Sequence, residues 1–300
     1  MSREVRELTS VPEVGPLLVK GLVGSARKRG VPVETLPPLS LLLDDQEQDI
    51  ARLAEYCRVT GFGLTDRVPA TWLHVLTFPL QAALMADDAF PFALPGLVHV
   101  SNDMTLSRAV SMGERLRLLV RAENLRPHGK GAVFDMVGEV HASDEPVWRG
   151  TSLYLATGVR VAGEPVAAER LAAPSVVPSQ QWRLAADLGR RYAEVSGDFN
   201  PIHLSPATSR LFGFRRPIIH GMWTHARALA GLGRLPDAYR ARVQFAKPIP
   251  LPGRVGFAAA RRDDGWAFAV VGKEGKPHLV GELSSAASDA RYDHHFRNEP

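Results

Sequence analysis

An aspartate and a histidine stand five residues apart, at Asp198 and His203, within the string SGDFNPIH. A carboxylate and an imidazole can exchange protons with a bound molecule near neutral pH, so the two residue types suit general acid and base catalysis. Asn200-Pro201 lies between them and favours a stiff turn, in which both side chains can face one small volume. The string therefore predicts a reaction centre that moves protons.

A second feature follows the pair, where PIIHGM leads into a mostly apolar helix at Gly221. The first N–H groups of a helix have no partner within the helix and carry the positive end of its dipole. The Gly221 N–H is thus a natural donor to a developing oxyanion, and a glycine lets a ligand approach the backbone closely. Between the two features, Ser205-Pro206 resembles a helix N-cap, which predicts a short helix that Gly213 closes.

Each of these residues also has a structural explanation when taken alone. Asp198 and Asn200 are common in turns, His203 could be a loop histidine with satisfied hydrogen bonds, and Gly221 could serve helix packing. The complete ordered string is more than the folding of a loop requires. The combination therefore favours a catalytic site.

The elements that would position this site can be read twice along the chain. Helical spacing over residues 45–60 ends in YCRVTG, and helical spacing over residues 181–196 runs into YAEVSG. Both endings match Y-x-x-V-[ST]-G. The segments 106–113 and 246–253 also resemble each other, and together these matches indicate an internal duplication.

Each half continues with a mostly apolar helix, at 73–86 and 220–231, which we expect to be wrapped by other structure. Segments with strand character follow each helix. They are 114–124, 132–142 and 147–156 in the first half, then 239–246, 255–261, 266–272 and 278–284 in the second.

Length and composition allow two domains, since 300 residues with 45% apolar side chains can form two cores of ordinary size. Residues 161–179, rich in Ala, Pro and Val, are predicted to be a linker between a domain at 1–160 and a domain at 180–300. The single cysteine, Cys57, can form neither an internal disulfide nor a thiolate metal cluster. We expect a protein of the reducing cytoplasm.

The N-terminus lacks the pattern of a secretory signal, and no apolar run is long enough to span a membrane. The net charge of +4 is spread along the chain, as on an ordinary solvated surface. A shallow positive field for coenzyme A phosphates or for an acidic acyl carrier protein remains an alternative. Nucleic acid is disfavoured because basic and aromatic residues do not interleave.

Residues 192–222 closely resemble the signature of the MaoC-like (R)-specific enoyl-CoA hydratases, the hydratase 2 group, with SGDFNPIH and PIIHGM present in order. The resemblance implies an α+β double hot-dog fold, in which two curved antiparallel sheets each wrap a central helix. It implies that Asp198 and His203 are the catalytic pair in a segment that overhangs the sheet. Asn200 would support their loop, and Gly221 would supply an oxyanion amide.

The implied reaction is reversible hydration of a trans-2-enoyl thioester, on coenzyme A or acyl carrier protein, to the (R)-3-hydroxyacyl thioester of fatty acid metabolism. No metal or other cofactor is expected, and a homodimer is possible. A hot-dog acyl thioesterase and a non-catalytic acyl-thioester-binding subunit remain the alternatives. We expect substrate contacts from the residues that flank the motif, namely Ser196, Phe199, Pro217, Ile218, His220 and Met222.

The shared ending Y-x-x-V-[ST]-G is called the landmark of each half below. The first half departs from the family pattern directly after its landmark. Phe62 stands where Asp198 stands when Gly61 is aligned with Gly197, and no N-P-x-H follows. The interval to the central helix is also shorter there, so the overhanging segment is predicted to be missing. Trp72 and His74 of the first half are therefore predicted to be structural.

Overall fold

The structure is a computed structural model that describes residues 3–24, 33–165 and 169–285. These residues form eleven strands and six α-helices. The strands are β1 (Glu4–Glu7), β2 (Leu39–Gln46), β3 (Leu97–Leu106), β4 (Leu116–His128), β5 (Gly131–Ala142), β6 (Glu145–Thr157), β7 (Gln180–Leu184), β8 (Tyr239–Phe245), β9 (Gly253–Arg262), β10 (Gly265–Val271) and β11 (Pro277–Ser285). The helices are α1 (Val14–Gly24), α2 (Ile50–Thr60), α3 (Ala70–Ala86), α4 (Leu188–Ser196), α5 (Pro206–Arg210) and α6 (Gly221–Gly231).

All eleven strands belong to one sheet, in the order β1-β2-β4-β5-β6-β3-β8-β11-β10-β9-β7. Apart from β1, the order is the same when read inward from either end, as β2-β4-β5-β6-β3 and as β7-β9-β10-β11-β8. The two arrays join at the antiparallel pair of β3 and β8, where Leu106 lies opposite Tyr239 and Ser101 lies opposite Gln244. The α+β hot-dog class is confirmed, although the two expected sheets are continuous across this pair.

A buried helix lies at the centre of each array. Helix α3 is apolar on almost every side and packs against all five strands of its array. Helix α6 packs against β10 and also contacts α2 and α3. Because burial of each large apolar side chain contributes about 1.5–3 kcal/mol, residues such as Trp72, Leu73 and Leu229 hold these helices in place.

The two sequence landmarks are helix ends of the same kind. Helix α2 ends at Gly61 with φ 86°, and α4 ends at Gly197 with φ 78°. Both glycines adopt the left-handed conformation that costs an L-residue free energy. In each case the glycine N–H donates to the carbonyl four residues earlier, on Cys57 and Ala193 respectively.

The approach to each central helix also repeats. In the first half, Val68 N–H donates to Val110 and Met112 N–H donates to Asp66, over 2.9 and 2.8 Å. The second half has the same pair of bonds with the same spacing, from Ile219 to Ile249 and from Leu251 to Pro217. These bonds place Ala70 and Gly221, the first residues of the two central helices, at equivalent positions.

Two local predictions are wrong at their edges. Residues 181–184 were expected to be helical but lie in β7, where Trp182 and Leu184 alternate toward the core, and α4 begins at Leu188. Residues 45–46 likewise end β2, and α2 begins after Asp49, whose side chain caps it. The seven predicted strands are confirmed with shifts of a few residues, whereas β1, β2, β3 and helix α1 were not predicted.

The predicted linker contains no helix or strand in its described parts, 161–165 and 169–179. The division into two domains and a linker remains a prediction, since the halves share one sheet. None of the helices in the described ranges is both long and apolar enough to cross a membrane.

Candidate active site

The segment between Gly197 and Gly221, residues 198–220, is called the overhang below. Its first turn is organised by two side chains that accept backbone hydrogen bonds. Asp198 Oδ1 accepts from Asn200 N–H at 3.2 Å, and Asn200 Oδ1 accepts from Ile202 N–H at 3.3 Å. A short 3-10 helix, Pro201–His203, follows and carries His203 back toward Asp198.

The rest of the overhang folds against this turn. Ser205 caps α5 as predicted, because its Oγ accepts from Thr208 N–H at 3.1 Å. Gly213 follows α5 with φ 85° and lets the chain reverse. The Ile218 N–H then donates to the Ile202 carbonyl at 3.1 Å, which closes the segment above the start of α6.

Three side chains meet beneath the overhang. Ligand atoms of Asp198, His203 and His220 all lie within 4.8 Å of one another. His203 Nδ1 lies 2.7 Å from the Ile218 carbonyl, which can only accept, so Nδ1 carries the proton. This bond leaves His203 Nε2 as the nitrogen that can accept a proton from a bound molecule.

His220 contacts both members of the pair. Its Nε2 lies 2.9 Å from the Asp198 carbonyl and 3.8 Å from the Asp198 Oδ2. Its ring stacks on that of His203 with the centroids 3.6 Å apart, and the side chain is 2% exposed. His220 thereby supports the pair from within the protein.

Burial brings the pKa values of the pair closer together. Burial raises the pKa of Asp198, and the His203 charge and the Asn200 N–H oppose the rise. Burial lowers the pKa of His203, and Asp198 opposes the fall. The Asp198 side chain keeps 27% of its surface exposed, so it can still meet a ligand. A pair with converging pKa values can pass a proton at little cost, which suits acid and base catalysis.

Gly221 begins α6 beside the pair. As the first helical residue, it has an N–H with no acceptor inside the helix. A Cβ on Gly221 would lie 3.0 Å from the Phe245 ring, so a side chain would fit there only if the ring moved. At the equivalent position of the first half, the Ala70 backbone is hydrogen-bonded to Tyr239. Burial raises the pKa of this tyrosine.

Sequence reasoning missed the residues that the first half and β8 bring near the pair. Burial raises the pKa of Tyr154 on β6, and the nearby Asp198 charge raises it further. His99 on β3 stacks on Tyr154 with centroids 4.8 Å apart and lies 5.0 Å from Phe245. These contacts depend on the pairing of β3 with β8, for which the sequence holds no local signal.

The predicted substrate-binding residues take different positions. Ser196 is buried, and its Oγ accepts from Asp198 N–H at 3.2 Å. Pro217 and Met222 are buried at the entrance to α6, and Ile218 supplies the carbonyl that orients His203. Phe199 keeps 41% of its surface exposed.

The cluster of Asp198, His203 and His220 could also hold a metal ion. A metal would compete with two existing interactions, because His203 Nδ1 bonds the Ile218 carbonyl and His220 Nε2 contacts the Asp198 carbonyl. The metal-free site expected from the sequence remains a prediction.

The equivalent region of the first half contains a cavity of about 630 Å³ at the start of α3. It is lined by residues 62–63, 65–69, 106, 109, 233–237 and 239. Its acidic groups have partners, since Asp66 accepts from the Ser111 hydroxyl and Asp237 pairs with Arg67. His74 lies further into α3, where burial lowers its pKa to about 4.

The matching family model and the relatives of similar sequence point to one family. The model of the MaoC like domain matches residues 172–280. The chain is 36% identical over 253 residues to 3-hydroxyacyl-thioester dehydratase X of Mycobacterium tuberculosis, covering 83% of this chain and 90% of that protein. The crystal structure of HtdX from M. tuberculosis superposes with a TM-score of 0.73 at 34% identity, covering 82% of this chain and 99% of that one.

A shorter relative matches a smaller part of the chain. The (R)-specific enoyl-CoA hydratase of Aeromonas caviae is 41% identical over 56 residues, which are 17% of this chain and 42% of that protein.

Proposed function

The chain belongs to the family of MaoC-like dehydratases and enoyl-CoA hydratases, and on that premise we propose that it hydrates trans-2-enoyl thioesters reversibly to (R)-3-hydroxyacyl thioesters. The proposed substrates are acyl groups of fatty acid metabolism on coenzyme A or acyl carrier protein. The (R) configuration is carried over from the hydratase 2 resemblance. Asp198 and His203 form the proposed catalytic pair, and Gly221 is the proposed oxyanion donor.

One observation carries the proposal: a ring nitrogen of His203 lies within 4.8 Å of an Asp198 carboxylate oxygen, and the Ile218 carbonyl holds the His203 proton on Nδ1, so Nε2 is free to accept one. Atoms within 4.8 Å of each other can both bond to one water, since each such bond spans about 2.7–3.0 Å. The pair can thus bind and polarise a single water molecule.

In the hydration direction, the pair removes one proton from this water as its oxygen forms a bond to C3 of the substrate. The C2=C3 π electrons move into the thioester, and the carbonyl oxygen gathers enolate charge against the Gly221 N–H. The enolate collapses as C2 takes a proton from the pair, so one water is added in all. Asp198 and His203 act as a coupled unit, and neither pKa alone assigns the acid and the base.

The two halves have different proposed roles. Residues 180–300 form the proposed catalytic unit, because all of the overhang lies there. Residues 1–160 form the proposed partner unit, which lacks the catalytic motif and contributes Tyr154 and His99 beside the site.

Incubation of the protein with a trans-2-enoyl-CoA in H₂¹⁸O tests the proposal. We expect one ¹⁸O at C3 of an (R)-3-hydroxyacyl-CoA, identified by mass spectrometry and chiral chromatography. Release of free acid with ¹⁸O in the carboxyl group would instead identify a thioesterase. Binding without turnover of enoyl or 3-hydroxyacyl thioesters would identify a non-catalytic subunit.

A further inference from the structure

The outer surface of the overhang carries basic residues and no acidic ones. No Asp or Glu occurs between Asp198 and Asp237 in the sequence. Arg210, Arg215 and Arg216 lie within this interval, and all three side chains are exposed. The overhang is therefore a positively charged projection above the candidate site.

These arginines differ from those of the sheet in their partners. Most arginines on the outer faces of β3–β6 and their turns form ion pairs with carboxylates, as do Arg108, Arg115, Arg117, Arg121, Arg126 and Arg149. Within the described ranges, no ion pair involves Arg210, Arg215 or Arg216. Their positive field is therefore not cancelled locally.

Two elements next to the overhang carry further arginines. Arg190 of α4 donates to the Leu204 carbonyl at 3.1 Å, and Arg216 donates to the Pro252 carbonyl at 3.4 Å, two residues before Arg254. Both contacts are to backbone oxygens, which do not neutralise the guanidinium charges. We call this surface the basic overhang, and it consists of Arg190, Arg210, Arg215, Arg216 and Arg254.

An apolar side chain stands within this surface. Leu211 directly follows Arg210 and is 81% exposed, and Phe199 at the base of the overhang is 41% exposed. An exposed leucine among these arginines gives a partner protein one apolar contact beside charges that steer its approach.

Resting on the proposed function, we infer that the basic overhang docks an acidic carrier protein that holds the acyl group on a phosphopantetheine arm. The overhang itself carries Asp198 and His203, so a partner bound to its outside contacts the same segment that holds the pair. Leu211 stands exposed among these charges and offers an apolar contact to a protein, which the phosphates of coenzyme A would not use. The surface therefore favours a protein carrier over coenzyme A.

The test compares one trans-2-octenoyl group on three carriers: an acidic acyl carrier protein, coenzyme A and uncharged pantetheine. The variant Arg210→Glu/Arg215→Glu reverses two charges that lie outside the catalytic pair. We expect its kcat/KM on the carrier protein to fall about 10- to 100-fold, because steering by charge changes association rates by such factors. The loss on coenzyme A should be smaller, and pantetheine should show none.

The matched control is Lys130→Glu/Lys273→Glu, which makes the same change in net charge at two exposed hairpin turns. It should retain wild-type kcat/KM on all three carriers. Added salt should reduce wild-type activity on the carrier protein and have less effect on the Arg210→Glu/Arg215→Glu variant. A loss on coenzyme A that equals or exceeds the loss on the carrier protein, or no loss on the carrier protein, overturns the inference.

Failure of the proposed function would look different. If the wild-type protein hydrates none of the three thioesters, the proposed function fails while docking can still be measured. Fluorescence anisotropy with a labelled, octanoyl-loaded carrier protein then gives the answer. Weaker binding by the arginine variant than by the lysine control supports the inference, and equal binding overturns it.

Discussion

The two halves of the molecule share an arrangement of strands and helices, and they differ in the length of the segment that leads into the central helix. In the first half, eight residues join Gly61 to α3, and in the second half 23 residues join Gly197 to α6. Both glycines end a helix in the left-handed conformation, and the same backbone hydrogen bonds lead into both central helices. A connection of eight residues is therefore sufficient for the fold, and the candidate catalytic residues lie in the longer connection.

The largest expected effect concerns the pair itself. Removal of one member of an acid and base unit typically lowers the rate about 100- to 10,000-fold, so Asp198→Asn and His203→Gln should each reduce kcat for enoyl-thioester hydration by such a factor. The first-half substitutions Asp66→Asn and His74→Gln should leave kcat near the wild-type value. Near-normal turnover by a folded Asp198 or His203 variant would contradict a single site in the second half, and melting temperatures serve as the folding control.

The second prediction concerns the first residue of each central helix. In Gly221→Ala, the new Cβ would lie 3.0 Å from Phe245, and relief of this contact would displace the N–H that is proposed to face the thioester. Loss of an oxyanion donor costs about 100-fold or more, so we expect kcat to fall by about that factor.

A rescue variant separates this clash from general damage to α6. Gly221→Ala/Phe245→Leu should recover much of the lost kcat, because leucine leaves the new methyl group more room. Ala70→Gly at the equivalent position of the first half should not change kcat. A Gly221→Ala enzyme with full activity would contradict the expected displacement, since it would show that Phe245 moves aside and the N–H keeps its place.

The third prediction concerns a feature that the halves share, since Trp-x-His recurs in α3 and α6 with His74 and His225. Burial lowers their pKa values to about 4 and about 3, and that of neighbouring His99 to about 3. The unfolded chain therefore binds more protons below pH 6.5, and the free energy of unfolding falls as the pH falls. Between pH 7 and pH 5, the burial of each histidine should lower the free energy of unfolding by about 2 kcal/mol.

Urea unfolding at pH 7 and pH 5 measures this effect. His74→Leu and His225→Leu should each reduce the difference between the two pH values by a similar amount, because both side chains are buried without a carboxylate partner. A pH-independent free energy of unfolding in the wild-type protein would contradict the burial of neutral histidines.

The smallest expected effect compares the two landmark glycines. Alanine in the left-handed conformation costs about 1–2 kcal/mol, which is the loss expected for Gly197→Ala, whose Cβ would have no neighbour closer than 3.9 Å. Gly61→Ala should lose more, because its Cβ would overlap the Arg227 guanidinium, which lies 4.8 Å from the centre of the Trp182 ring. Equal free energies of unfolding for the two variants would show that Arg227 moves away without cost.

Much of the local structure was predictable. The strand segments after each central helix, the Ser205 cap and the two glycine helix ends follow from periodicity and from the backbone preferences of single residues. The prediction of helix over residues 181–184 was wrong, because apolar side chains at Trp182 and Leu184 fit a short strand as well as a helix. The strand forms because residues 180–184 pair with β9.

The position and the residues of the overhang can be read from the sequence, because a turn, a cap and a left-handed glycine depend on neighbours a few positions away. Two features of the site come from the tertiary structure. His220 stacks on His203, 17 residues earlier, and the charge of Asp198 raises the pKa of Tyr154 of the first half. The stacking requires the overhang to fold back over the start of α6, and the nearness of Tyr154 to Asp198 requires β3 to pair with β8. No local pattern encodes such contacts, because they form only when distant segments bury their apolar faces together.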